Sequence, residues 1–232
     1  MDLVQNSFAQ LELNYPNMLH NYNYFRSKLK DTTKLLILIK ANSYGHGALE
    51  FARQMEKAGA DYFGIAHPVE GVELREGGIK TPIIVLTAGT DSFEDIVNHY
   101  LEPSIPSMEA LLKFDAYLKS RDIEHYPVHI KLDTGMGRIG YQDAESAVQD
   151  ALKIKELPMI EMEGVFTHFA KADYEDKTDA NTQFKVFSNF CNSIENRLNI
   201  KISVIAGTIT VEYTDDLPCL ELSHRDAMNL LF

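Results

Sequence analysis

An α/β barrel of eight parallel strands, the (β/α)8 architecture of TIM-type barrels, is the fold this sequence predicts, on three observations. Short apolar runs alternate with longer amphipathic stretches along most of the 232 residues, the order produced by parallel strands joined by helical crossovers. The runs are continuously apolar and do not alternate with polar residues, as expected of strands covered on both faces. The first run leads into KANSYGHG, which lacks the GxGxxG turn of an open nucleotide-binding sheet. The open doubly wound sheet is therefore the disfavoured competitor. A barrel of this length is a single domain.

The elements follow in order. YPNMLHNYNYFRSKLK (15–30) has apolar residues at helical spacing, and KLLILIK (34–40) reads as a fully buried strand. ALEFARQMEKAGA (48–60) is a helix ending at a glycine, and YFGIA (62–66) is the next strand. PVEGVELREGGI leads into the strand TPIIVL (81–86), and SFEDIVNHYL precedes EPSIP. SMEALLKFDAYLKSR (107–121) is a helix with Ser107 as N-cap. PVHIKLD (127–133) is a strand, DAESAVQDALKIKEL (143–157) a helix capped by Asp143, and MIEMEGVFTHF (159–169) contains a strand. TDANTQFKVFSNFCNSIENRL (178–198) is a long helix, KISVIA (201–206) a strand, and PCLEL (218–222) the last one.

Composition excludes several classes of partner. An apolar content of 45% is that of a folded domain and argues against disorder. The net charge of −12 leaves no electrostatic case for nucleic acid or an anionic membrane surface. The two cysteines, Cys191 and Cys219, form neither a CxxC pair nor a metal-ligand spacing, which predicts reduced thiols and a cytoplasmic location. The N-terminus has no basic region followed by an apolar core, and no run is long enough to span a membrane.

In a barrel, chemistry collects at the C-terminal ends of the strands. Lys40 follows the first strand, with Tyr44 and His46 in the next turn. Lys131 and Asp133 end the fifth strand and lead into TGMGRIG, which carries Met136 and Arg138; His168 ends the sixth. Each has an ordinary alternative: a strand-end lysine snorkels to solvent, a lone histidine packs, and Asp133 caps the glycine turn through its amides. Together they make a small-molecule site. The eight histidines are scattered, with no HxH or HExxH, so no metal is expected. Neither GxSxG nor a Cys–His arrangement occurs. What remains is Lys40, which an apolar mouth near a second cation such as Arg138 would suit to imine formation with a carbonyl compound.

IKANSYGHG, ELREGGIKTPIIVL, KLDTGMGRIG and GVFTHFAKAD strongly resemble, in order and over roughly residues 8 to 200, the signatures of the alanine racemase family. These are pyridoxal 5'-phosphate enzymes whose N-terminal domain is an eight-stranded α/β barrel and whose product, D-alanine, supplies peptidoglycan precursors. The resemblance implies that Lys40 forms the Schiff base with the cofactor and that Tyr44 lies near its phosphate. It places Arg138 at the cofactor's phenolic oxygen, Met136 by the substrate and His168 by the pyridine ring. Lys131 matches a lysine that is carbamylated in some members, where it orients the arginine. Once an amino acid replaces the lysine, the cofactor acts as an electron sink and Lys40 is free to move the Cα proton on one face.

The match weakens in the tail, residues 203–232. Where the family has a His-x-x-Asn-Ser segment whose serine binds phosphate, this chain has SVIAGTITVEY, with Gly207 and Thr208 as the remaining contacts. The family's Arg-x-Gly, whose arginine meets the pyridine nitrogen, corresponds to SHRDAMNLLF, with Arg225 followed by Ala227 in place of glycine. An irregular last βα unit is expected there. The second proton donor of the family is a tyrosine from a C-terminal β domain of the other subunit in a homodimer, and no such domain lies within these residues. The resemblance thus implies an alanine racemase barrel whose racemisation, on its own, is impaired. The alternatives are a non-racemising barrel that binds the cofactor and an inactive truncated fragment.

Overall fold

Seven strands lie in one sheet, each parallel to the one before it: β1 (Leu36–Leu38), β2 (Tyr62–Ile65), β3 (Ile83–Val85), β4 (Glu102–Ile105), β5 (Tyr126–Lys131), β6 (Ile160–Thr167) and β7 (Ser203–Ala206). The computed structural model describes residues 11–31, 33–172 and 174–198, together with the strand backbones at 203–206, 211–212 and 221–222. Gly207, Thr208 and Arg225 lie outside the described residues, as does Cys219.

Helices fill the crossovers. α1 (Tyr15–Lys28) precedes the sheet; α3 (Ala48–Lys57), α4 (Pro68–Glu76), α5 (Phe93–Asn98), α6 (Met108–Ser120), α7 (Ala144–Ile154) and α8 (Thr178–Leu198) separate successive strands. Between β1 and α3 stands α2 (Lys40–Tyr44), a single turn of unusual hand treated with the site below. The expected caps form: the Ser107 hydroxyl accepts from the Ala110 amide at 3.4 Å, and the Asp143 carboxylate from the Ser146 amide at 2.8 Å. α4 was not anticipated as a helix, although Pro68 at its first turn and Glu70 three residues after the His67 N-cap are start signals.

Strand order runs β1 to β7 without a reversal. A doubly wound sheet reverses at a switch point, so the consecutive order excludes it and leaves the singly wound path of a barrel. The curl is visible in the electrostatics. Tyr62 on β2 feels the charge of Glu163 on β6, and Lys40 after β1 acts on His168 after β6. In a flat sheet those partners would be about 19 and 24 Å apart, at about 4.8 Å per strand. Rolling the sheet brings them together.

Register separates the two faces, because partners on adjacent strands share a face. Phe63 pairs with Ile83, and Ile105 with Ile130 and then Val165. These residues are buried in the core that packs against the helices. The other face lines the inside of the curl: Leu38, Gly64, Ile84 and Glu102 at one level, Ser104, His129 and Gly164 at another, and Lys131 with Phe166 toward the mouth.

Two expectations are corrected. β1 is partly buried throughout and not fully buried, because among the described residues it has a sheet neighbour on one side only. The run at 218–222 does not supply an eighth parallel strand. Its β9 (Glu221–Leu222) pairs antiparallel with β8 (Val211–Glu212). The eight residues between them suit an antiparallel return, since a parallel neighbour needs a crossover of about a dozen residues or more.

Candidate active site

Lys40 sits two residues beyond β1, where the chain enters α2. Ala41, Asn42, Ser43 and Tyr44 all have φ between 52° and 55°, which is the left-handed region. None is glycine, so the turn costs on the order of 1–2 kcal/mol per residue. Such strain persists only where surrounding contacts over-determine it, and it clusters at functional sites. Inside the turn, the Ser43 amide donates to Ile39 O at 2.9 Å and the Gly45 amide to Ala41 O at 3.1 Å. Asn42 Oδ1 accepts from the Ala48 amide at 2.7 Å, which fastens the turn to the start of α3. His46 places Nδ1 2.8 Å from Ser43 O. A carbonyl only accepts, so that nitrogen carries the proton and His46 closes the turn. Tyr44 is 59% exposed.

Lys131 is the last residue of β5 and is buried, with its ammonium 5.4 Å from the centre of the Phe166 ring. Burial pulls its basicity below the usual lysine range; the charges of Arg138 and Lys40 add to this and Asp133 opposes it. His168 follows β6, and its imidazole is pushed down to about 4 by burial, then by Arg138, Lys131 and Lys40. Charges shift one another this way only at short range. Four of the groups expected at the site, Lys40, Lys131, Arg138 and His168, therefore lie close enough for the charges of Lys40 and Arg138 to act on both Lys131 and His168.

Asp133 does what the sequence suggested. Its Oδ1 accepts from the amides of Gly135 and Gly137, each at 3.0 Å, and Oδ2 from the Arg138 amide at 2.6 Å. Burial alone would raise this carboxyl, but the amides of Gly137, Gly135, Arg138 and Met136 outweigh it and hold it below the usual range. The carboxylate is thus committed to shaping the loop that presents Met136 and Arg138. Among the described residues neither Lys40, Lys131 nor Arg138 forms a salt bridge.

Three positioning residues gave no distinct signal in the sequence. Buried Gln183 of α8 donates to Thr134 Oγ1 at 3.1 Å and to His168 O at 3.2 Å, and accepts from the Ala170 amide at 2.9 Å. Thr134 and Thr167 share a hydroxyl bond of 2.8 Å. These contacts tie the Arg138 loop to the His168 turn. A buried glutamine in the second turn of a helix announces nothing until its partners are placed.

Residues 13–218 match the family described as alanine racemase, N-terminal domain. The chain belongs to the alanine racemase family. It is 36% identical over 214 residues to an alanine racemase of Clostridium tetani, covering 91% of this chain and 54% of that one. To an alanine racemase of Clostridium kluyveri it is 37% identical over 211 residues, covering 90% and 53%. Among solved structures, an alanine racemase of Clostridium difficile 630 superposes with a TM-score of 0.78 at 35% identity, over 83% of this chain and 53% of that one. The chain spans about half the length of the curated relatives it matches, and the shared half is the TIM-barrel domain. Among the described residues no helix is long and apolar enough to cross a membrane, and no cluster of His, Cys, Asp or Glu could hold a metal ion.

The donor set fits the cofactor that the family implies. A mouth holding Lys40, Lys131 and Arg138, with the Asp133 carboxylate spent on backbone amides, suits a small anionic molecule. The primary amine at the head of a strained turn suits an aldehyde. Pyridoxal phosphate is both.

Proposed function

We propose that this barrel holds pyridoxal phosphate through Lys40 and forms the lysine side of the active site of an alanine racemase. The observation that carries the reading is the convergence of Lys40, Lys131, Arg138 and His168 at the C-terminal end of the strands, where the charges of Lys40 and Arg138 act on Lys131 and His168. When bound, the cofactor supplies an electron sink for the pair left on Cα after proton loss. The chain's own residues do the rest. Lys40 Nζ binds the aldehyde and, once displaced by the amino acid, takes or returns the Cα proton on its face. Arg138 would meet the cofactor's phenolic oxygen, Tyr44 would lie near its phosphate, and Met136 would border the substrate. In the tail, Gly207, Thr208 and Arg225 would complete the phosphate and pyridine contacts.

A neutral His168 is consistent with a place beside the pyridine ring, because it adds no fourth charge to the mouth. Lys131 is suited to carbamylation. Its lowered basicity favours the free amine, which adds to carbon dioxide with release of one proton. The product is an anion facing Arg138, so the crowding of cations becomes an attraction. Pairing with a second subunit and a C-terminal domain, as in the family, would bring the second proton donor.

Purified chain incubated with pyridoxal phosphate and then reduced with borohydride should carry one permanent adduct, on Lys40. Lys40→Ala should carry none. A label spread over surface lysines, or unchanged in Lys40→Ala, overturns the assignment.

A further inference from the structure

The left-handed turn that presents Lys40 is held by bonds that are nearly all its own. Those within residues 39–48 travel with the turn, so they give it shape without fixing where it points. Among the described residues, one hydrogen bond fastens segment 40–47 to a distant part of the chain: the Ala41 amide donates to Glu70 Oε1 at 2.6 Å. The other oxygen of the same carboxylate accepts from the Ala66 amide at 2.7 Å and the His67 amide at 3.0 Å. Those two amides stand between β2 and α4.

Glu70 therefore bridges two structures. Its Oε2 is pinned by two amides at the start of α4, where an acidic side chain is also favoured by the helix dipole. Its Oε1 reaches across to the peptide immediately after Lys40. That peptide sets the direction of the Lys40 Cα–Cβ bond. We propose that Glu70 is a positioning residue, whose carboxylate clamps the strained turn and aims Lys40 into the mouth. Conformational strain of this size, summed over four residues, is tolerable only with an external anchor, and a hydrogen bond to a charged acceptor is a strong one. The clamp rests on the cofactor reading for its purpose, but its effect on the turn is independent of any cofactor.

Glu70→Gln tests it with almost no change of shape. A glutamine has one oxygen acceptor, and its amide nitrogen can only donate. It can serve the α4 amides or the Ala41 amide, but not both. Amide hydrogen exchange on the unloaded chain is the first readout: peptides covering 40–47 should exchange about tenfold faster or more, the scale of one charge-assisted bond. The rate of borohydride-trappable attachment of pyridoxal phosphate to Lys40 should fall by a similar factor. Asp143→Ala is the control for general destabilisation. It weakens the start of α7, far from the turn in sequence, and should leave both readouts unchanged.

If Glu70→Gln does not fold, Glu70→Asp keeps the charge and shortens the reach by one methylene, and the same faster exchange in 40–47 is expected. Exchange and attachment at wild-type rates in either folded variant overturn the proposal. A wild-type chain that takes no cofactor at Lys40 would overturn the functional reading, while the exchange experiment would still decide the role of Glu70.

Discussion

At the scale of single residues, burial and neighbouring charge together set the protonation state of His168. His168 is held neutral by burial and by three cations, which push its imidazole down to about 4. An unfolded histidine titrates near pH 6.5. Between those values the unfolded chain binds a proton that the folded chain refuses, so stability falls as pH drops from about 6.5 to about 4, then levels. Allowing for solvent screening of a partly exposed ring, the loss is about 1–2 kcal/mol. His168→Gln should remove that slope. Urea midpoints measured at several pH values at fixed salt would show it, and parallel curves for the two proteins would contradict the assignment. The sequence placed His168 at a strand end correctly, but not its protonation state. That depends on Arg138, Lys131 and Lys40, which meet only when the sheet curls.

At the scale of elements, loops at the mouth are shaped by close backbone contact. Gly140 closes TGMGRIG with φ 122°, and a Cβ there would lie 2.7 Å from the Lys131 carbonyl oxygen and 3.1 Å from the Asp133 amide nitrogen. Both contacts are backbone and cannot swing aside. The Tyr141 amide donates to the same Lys131 carbonyl at 2.9 Å, so the loop folds back on its own strand. Gly137 has φ 72° but nothing within 4 Å of a Cβ. Gly140→Ala should cost about 2–3 kcal/mol and Gly137→Ala about 1 kcal/mol. Equal losses in thermal or urea melts would show that conformation alone, and not the approach to Lys131, sets the cost. The glycine-rich character of this loop and the Asp133 cap were legible, because a short carboxylate followed by glycines has few other uses. The left-handed hand of α2 was not. KANSY has no glycine to mark it, and the Glu70 anchor is 29 residues from Ala41.

At the scale of the whole molecule, strand alternation and apolar runs made the barrel path legible, while the apolar run at 218–222 gave no sign that its strand pairs antiparallel with β8. The inner face carries a second feature that pattern reading passed over. Fully buried His129 bonds to Glu102 at 2.7 Å, and Tyr62 is pushed up to about 12 by burial and by Glu102 and Glu163. This polar layer lies at or below the level of His129, two residues deeper along β5 than Lys131. The acidic groups are therefore set beneath the cationic mouth. That separation lets a chain of net charge −12 present cations to an anionic ligand, since contact at the mouth outweighs distant charge screened beyond about 10 Å.

The same spatial logic bears on the chemistry of these residues alone. Under the proposed assignment Lys40 serves one face of Cα, and in the family the second donor comes from a C-terminal domain. A lysine that removes the Cα proton exchanges its own protons with solvent before returning one to the same face. Incubated with pyridoxal phosphate and alanine in deuterium oxide, the chain should thus place deuterium on Cα of one enantiomer. Inversion should be slower by about tenfold or more, since general acid–base assistance at the second face contributes on the order of 10²–10⁴. Lys40→Ala should abolish the exchange. Proton spectra for the exchange and chiral chromatography for the inversion separate the outcomes. Inversion keeping pace with exchange would mean that both faces are served from within these residues. Neither exchange nor inversion, in a chain that has taken the cofactor at Lys40, would mean that this barrel binds the cofactor without moving the proton.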